Sequence, residues 1–207
     1  MTHQAETVKR MYNSVGKAPK CRFCGTGLQH TLVVLGMSPL CESFLSFDQL
    51  NQAEAFYPLH VRVCENCFLV QLEAYVSPED IFTEYAYFSS YADTWLKQCK
   101  AYTDRVVDRF NLNENSQVIE LASNDGYLLQ YFVEKNIPVL GVEPATNIAK
   151  VAIAKGVPTL NEFFGQECAL KLVQQGKQAD LVAANNVLAH VPELNDFVAG
   201  IKILLKP

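Results

Sequence analysis

No run of lysine and arginine occurs anywhere in these 207 residues, and the formal net charge is −5 with a pI near 5.4. Contact with a phosphate backbone uses a positive footprint that is missing here, so nucleic acid is excluded as an expected partner. No apolar run approaches the roughly 20 residues that cross a bilayer. The opening residues, MTHQAETVKRMYNSVGKAPK, lack the apolar centre of a secretion signal. No membrane association is expected, and the expected location is cytoplasmic. The sequence also lacks a G-x-G-x-x-G turn, which argues against a dinucleotide held by its pyrophosphate. Internal repeats and low-complexity segments are absent. Charged residues make up only 19% against 49% apolar, so a substantial core can be buried and disorder is not a serious reading.

Cysteine is what the sequence has in excess, with seven residues and no secretion signal. Cytosolic thiols stay reduced, so metal ligation or buried thiols explain them better than disulfides. Cys21-Arg-Phe-Cys24 and Cys64-Glu-Asn-Cys67 are two C-x-x-C knuckles, each presenting a thiolate pair that closes half of a tetrahedral Zn–S site. Residues 25–63 between them exceed the usual spacing of about 15 to 20, so the insertion must loop out and return, which pairing of the LVVLG and LHVRV runs would achieve. Four thiolates leave no open coordination position. Zinc at Cys21, Cys24, Cys64 and Cys67 is therefore structural. Cys41, Cys99 and Cys168 stand alone and read as core residues.

The pattern along the chain predicts an arm over 1–20, a small β-rich zinc-binding domain over 21–76, connecting helices over 77–115 and an α/β domain over 116–207. Ser77-Pro78-Glu79-Asp80 carries a capping serine with proline at the first helical position, starting a helix expected to reach about Tyr85. Apolar residues from Trp95 to Phe110 at helical spacing predict a long amphipathic helix ending near Asn111. From Ser116 the text alternates: VIEL, DGYLLQYFVEKN, PVLGVE, ATNIAKVAIAKG, VPTL, GQECALKLVQQG, ADLVAA, ELNDFVAGIKILLK. This βαβαβαβα series specifies a Rossmann-like parallel sheet that binds ligands beyond the carboxyl ends of its strands. Ending after the fourth helix leaves a half-sheet with an open edge, and a downstream part is expected to be absent.

Candidate site residues cluster at those strand ends. The first strand closes on Glu120 and passes through Ala122, Ser123, Asn124, Asp125 and Gly126, small and polar residues that let a ligand approach the backbone. An acid there suits a cationic or hydroxyl-bearing group. Glu143 ends the second strand, where a carboxylate can accept the hydroxyls of a ribose, and the two acids together favour a nucleoside. Asn185 and His190 follow the last strand; the imidazole there is either a base or hydrogen-bond partner near neutral pH or a structural side chain. Tyr85, Tyr87, Ser89, Ser90 and Tyr91 form a hydroxyl-rich connection that either walls a site or packs as an aromatic seam.

The knuckles, the run Cys67-Phe-Leu-Val-Gln71-Leu72, FTEYAYFSSY, IELASNDGYLL, GVEP and NNVLAHVPELNDFV, in this order, resemble the sugar C-methyltransferases that act on nucleotide-linked ketosugars. The resemblance covers about Cys21 to Pro207. It implies an N-terminal zinc-binding domain, a central class I methyltransferase domain that uses S-adenosylmethionine, and a C-terminal domain helping to hold the sugar nucleotide. By that likeness residues Glu120 to Gly126 hold the methionine part of the cofactor and Glu143 its ribose. Asn185 lies near the cofactor, and His190 and Tyr87 are the candidate catalytic groups. The implied reaction is deprotonation beside the keto group, giving an enolate that attacks the sulfonium methyl. Two departures stand out. Ala122 replaces a glycine usual in this turn, and its methyl would crowd a cofactor unless the backbone keeps ordinary dihedrals. The family's segment supplying further active-site groups lies downstream of Pro207, so the chain alone is expected to be a poor catalyst. Methylation of another small molecule, or a non-catalytic zinc-ribbon and Rossmann-like binding module, stay open as alternatives.

Overall fold

The computed structural model describes residues 19–207, and the arm expected over 1–20 lies almost wholly outside them. The chain divides into two compact units, Met1–Ile81 and Phe82–Pro207. Most of the segment expected as connecting helices, 77–115, is therefore part of the second unit.

In the first unit three antiparallel strands, β1 (His30–Ser38), β2 (Tyr57–Val63) and β3 (Val70–Gln71), lie in that order. The two runs expected to pair do so, with Val33 opposite Val61 and Val34 opposite His60. Register slips between Val34 and Met37, where Gly36 sits at φ +88°, as a bulge demands. Each knuckle is a tight turn: the amide of Gly25 donates to Cys21 O at 2.9 Å, and that of Phe68 to Cys64 O at 2.9 Å. Gly25 takes φ +76°, and Phe68 at the matching place in the second knuckle takes +61°. Among the described residues the unit's apolar core is small: Cys21, Leu28 and Cys64, with Cys67 and Leu69 against them. So small an apolar core needs another source of stability, and a metal is the usual one.

A short helix, α1 (Pro78–Phe82), spans the boundary, ending three residues before Tyr85. Its cap is as expected, with the Asp80 amide donating to Ser77 Oγ at 3.2 Å. In the second unit α2 (Asp93–Phe110) ends on left-handed Asn111, whose amide returns to Val107 O. Then follow β4 (Val118–Leu121), α3 (Leu129–Val133), β5 (Val139–Val142), α4 (Thr146–Ala154), β6 (Thr159–Leu160), α5 (Gln166–Gln174), β7 (Leu181–Ala183) and α6 (Leu194–Leu204). The sheet is parallel throughout, in the order β6-β5-β4-β7. The chain walks outward from β4 to β6, then crosses back to place β7 on the other side of β4. A ligand crevice opens at that switch point in sheets of this kind. Beyond β7, Leu205 makes a parallel bridge to Ala179 on the outer edge.

Alternation along β4 separates two cores. Val118 joins Cys99, Val106, Tyr127, Phe132 and Val157 on one face, while Ile119 and Leu121 join Cys168, Leu172, Phe197 and Leu204 on the other. This is the three-layer α/β/α arrangement the sequence predicts. Gly141 is required where it stands, since a Cβ there would lie 2.3 Å from Ser123 Oγ.

Candidate functional site

The four knuckle cysteines converge. Their sulfur atoms all lie within 4.8 Å of one another, with Cys21–Cys67 and Cys24–Cys64 each at 3.5 Å. Tetrahedral ligation at about 2.3 Å per Zn–S bond places sulfurs about 3.8 Å apart, so the cluster fits a structural zinc ion. Donors prepare it for thiolate: the Thr26 hydroxyl and amide, with the Asn66 side chain, pull the Cys24 thiol down to about 5. Against the Leu69 amide, burial and the three neighbouring thiols push Cys67 up to about 12. Binding a cation here would release the thiol protons that remain. Cys99 and Cys168 are buried as core residues, whereas Cys41 is exposed, which corrects its reading as core.

At the sheet's carboxyl edge, Glu120 sits one residue before the end of β4, opposite Gly141 on β5 and Ala183 on β7. It is fully buried. Asn185 Nδ2, beyond β7, donates to Glu120 Oε1 at 3.3 Å across the switch point, and the Tyr127 hydroxyl also bonds the carboxyl. Burial, opposed by these bonds and reinforced by Glu143 and Asp125, pushes Glu120 up to about 8. Tyr127 is itself held high by burial and by Glu120, and its ring lies 5.9 Å from that of Trp95.

The loop after β4 turns by left-handed residues: Ala122 at φ +54°, Asn124 at +48° and Gly126 at +78°. Ala122 thus keeps the conformation a glycine would take there rather than relaxing to ordinary dihedrals, at a cost of about 1–2 kcal/mol. Gly126 is needed for packing, since a Cβ would lie 2.8 Å from Val157 Cγ2. Glu143, at the end of β5, accepts the Asn124 amide on Oε2 and the Ala145 amide on Oε1, each at 2.8 Å. Burial holds its carboxyl above the ordinary range despite those amides. Glu120 Oε2, Ser123 Oγ and Asp125 Oδ1 are buried with no hydrogen-bond partner among the described residues.

Asn124, Asp125 and Asn147 also anchor the segment from Thr83 to Tyr91. Asn147 donates to Tyr85 O at 2.7 Å and accepts the Tyr85 amide at 3.1 Å. Asn124 does the same one step along, donating to Tyr87 O at 3.1 Å and accepting the Ser89 amide at 2.8 Å. Asp125 Oδ2 accepts Lys155 Nζ at 2.8 Å and the Ser90 hydroxyl. Tyr87 is therefore brought to the loop by its backbone, with its ring half exposed. His190 is exposed in a 3-10 turn, its ring 6.3 Å from that of Phe82. No hydrogen bond joins it to Glu120, Glu143 or Asn185. Sequence reasoning missed Tyr127, Asn147 and Lys155. Tyr127 lies in the quoted run IELASNDGYLL, but an aromatic there reads as core until its hydroxyl is seen on Glu120.

Residues 21–82 match a family model described as "Putative zinc binding domain". Over 197 residues, 95% of the chain, the sequence is 31% identical to C-methyltransferase NovU from Streptomyces niveus. The chain is thus similar to a C-methyltransferase and, over residues 21–82, to a zinc-binding domain. It spans about half the length of that curated relative, 47%. Among solved structures it is similar to a magnesium protoporphyrin IX methyltransferase from Synechocystis with bound SAM, with TM-score 0.43 and 17% identity over 54% of each chain. A SAM-dependent methyltransferase from Archaeoglobus fulgidus matches at TM-score 0.42 and 17% identity, over 54% of this chain and 48% of that one. No helix among the described residues is long and apolar enough to cross a membrane.

Proposed function

We propose that the chain is the zinc- and cofactor-bearing part of an S-adenosylmethionine-dependent C-methyltransferase whose acceptor is a nucleotide-linked ketosugar. The observation that carries this reading is the pair of buried acids, Glu120 and Glu143, on adjacent strands at the switch point of the sheet. Three unpartnered oxygens, Glu120 Oε2, Ser123 Oγ and Asp125 Oδ1, accompany them. Hydroxyls and an ammonium are the donors that such acceptors fit. In this reading residues 21–81 are a structural zinc domain and 82–207 hold the cofactor.

The cofactor supplies an electrophilic methyl on a sulfonium. Glu143 takes the ribose hydroxyls on the lone pairs its two amide bonds leave free. Glu120, steadied by Tyr127 and Asn185, faces the methionine end together with Ser123 and Asp125. Asn124 fixes the backbone of Tyr87 beside the loop, keeping its side chain a candidate catalytic group, and His190 stands in the loop after β7 as a proton acceptor. Carbon methylation beside a ketone needs such an acceptor, because the C–H proton must leave to form the enolate that takes the methyl. Ala122 in a strained glycine conformation is the observation favouring the second reading, a binding module that no longer catalyses.

Calorimetric titration with S-adenosylhomocysteine tests the proposal. Micromolar binding that falls at least tenfold in Glu143→Ala is expected. Absence of binding in both this chain and a longer protein containing it would refute the cofactor role.

A further inference from the structure

Gln71, the last residue of β3, is a polar side chain only 8% exposed beside the cysteine cluster. Its carboxamide is used at both ends. Oε1 accepts the Arg22 amide, inside the first knuckle, at 3.0 Å. Nε2 donates to Cys21 Sγ at 3.3 Å, with its second hydrogen toward Leu69 O at 3.4 Å just beyond the second knuckle. One side chain therefore touches a ligand sulfur, the backbone next to that ligand and the backbone beyond the second knuckle. We propose that Gln71 is a positioning residue for the metal centre, fixing the two knuckles at ligating separation and stabilising the Cys21 thiolate through an N–H···S hydrogen bond.

The chemistry requires such a group. Four thiolates around a dication leave two net negative charges on a cluster of which Cys21 and Cys64 are buried, and a buried sulfur lone pair not on the metal needs a donor. Backbone amides serve this purpose at Cys24 and Cys67, from Thr26 and Leu69. At Cys21 a side-chain amide adds to them, and glutamine is the residue that can donate to sulfur while accepting from Arg22. A leucine or methionine would fill the volume and leave the Arg22 amide without this acceptor. A glutamate would set a fifth acceptor-only group against the four thiolates.

The inference rests on the zinc reading and is tested on the full chain with Zn2+ and Co2+. Zinc affinity is measured by competition with a chromophoric chelator for the parent, Gln71→Met, Gln71→Glu and an exposed control, Gln52→Met. Outer-sphere partners of metal ligands are worth about 10- to 100-fold in affinity, so Gln71→Met is expected to bind zinc at least tenfold more weakly and Gln71→Glu more weakly still, with the control unchanged. In the cobalt form the sulfur-to-metal charge-transfer band of Gln71→Met should move to longer wavelength, because a thiolate without its N–H donor gives up its electron more readily. Affinity within twofold of the parent would overturn the proposal, as would weaker binding with an unmoved band, since that pattern marks β3 packing alone. A parent chain that takes up neither metal would overturn the zinc reading itself, a result separable from both.

Discussion

Replacing Glu120 by glutamine should make the second unit more stable at pH 8 and leave it unchanged near pH 4. The wild-type carboxyl titrates at about 8 when folded, against 4.5 for the ordinary group. Between these values the folded state keeps a proton that the unfolded state has lost. Stability contributed by the neutral carboxyl is then complete below 4.5, declines as pH rises through the window and is gone above about 8. At about 1.4 kcal/mol per pH unit, the window corresponds to a loss on the order of 5 kcal/mol. Full burial removes solvent screening as a reason to discount it. Glutamine has nearly the same shape, keeps an oxygen for Asn185 and Tyr127, and has no proton to lose. Trp95 is the sole tryptophan and packs on Tyr127, so its fluorescence reports this unit. Urea denaturation followed at pH 5, 6.5 and 8 should give midpoints for Glu120→Gln that pull progressively ahead of wild type. Raised Glu143 titrates in both proteins and cancels in the comparison. Parallel midpoint-against-pH curves would refute the argument and mean that Glu120 is ionised where it lies.

Two further perturbations have definite expectations. Ala122→Gly relieves a left-handed alanine costing about 1–2 kcal/mol but returns about 0.4–1 kcal/mol of freedom to the unfolded chain. A net stabilisation of roughly 0.5–1 kcal/mol by urea denaturation is expected, and a destabilisation would contradict the strain. Cys64→Ser removes a fully buried candidate ligand from the smallest core among the described residues. Zinc per chain should fall from about one to near zero by metal analysis, with the Trp95 transition unmoved; a coincident loss of that transition would show that the two units unfold together.

Much of the second unit was legible because each strand of the series is an apolar run bounded by turn residues and each helix repeats at 3.6. The weakest elements were misjudged. DGYLLQYFVEKN reads as one helix, yet its first residues are consumed by the turn that Gly126 and left-handed Asn124 enforce, leaving only Leu129–Val133. A helix to Tyr85 stops at Phe82 because Asn147 captures the Tyr85 backbone, a bond between residues 62 apart that no local pattern reveals. The convergence of the four knuckle cysteines was readable from spacing alone. What spacing could not supply was the second use of each polar residue. Asn124 is spent on Glu143, Tyr87 and Ser89, and Asp125 on Lys155 and Ser90. Residues that read as ligand contacts thus also anchor the chain itself.

The bond from the Asn124 amide to Glu143 makes the loop its own competitor. An amide at the turn after the first strand is the donor that phosphate-binding sheets offer to their ligand, and here a carboxylate of the same chain holds it at 2.8 Å. Tethered groups compete at effective concentrations of millimolar or more, and this one is pre-ordered by a second amide from Ala145. A diffusing phosphate would have to displace Glu143 and then sit beside the displaced charge. The turn is thereby closed to anions without any bulky residue, and its selectivity lies in which hydrogen atoms are already taken.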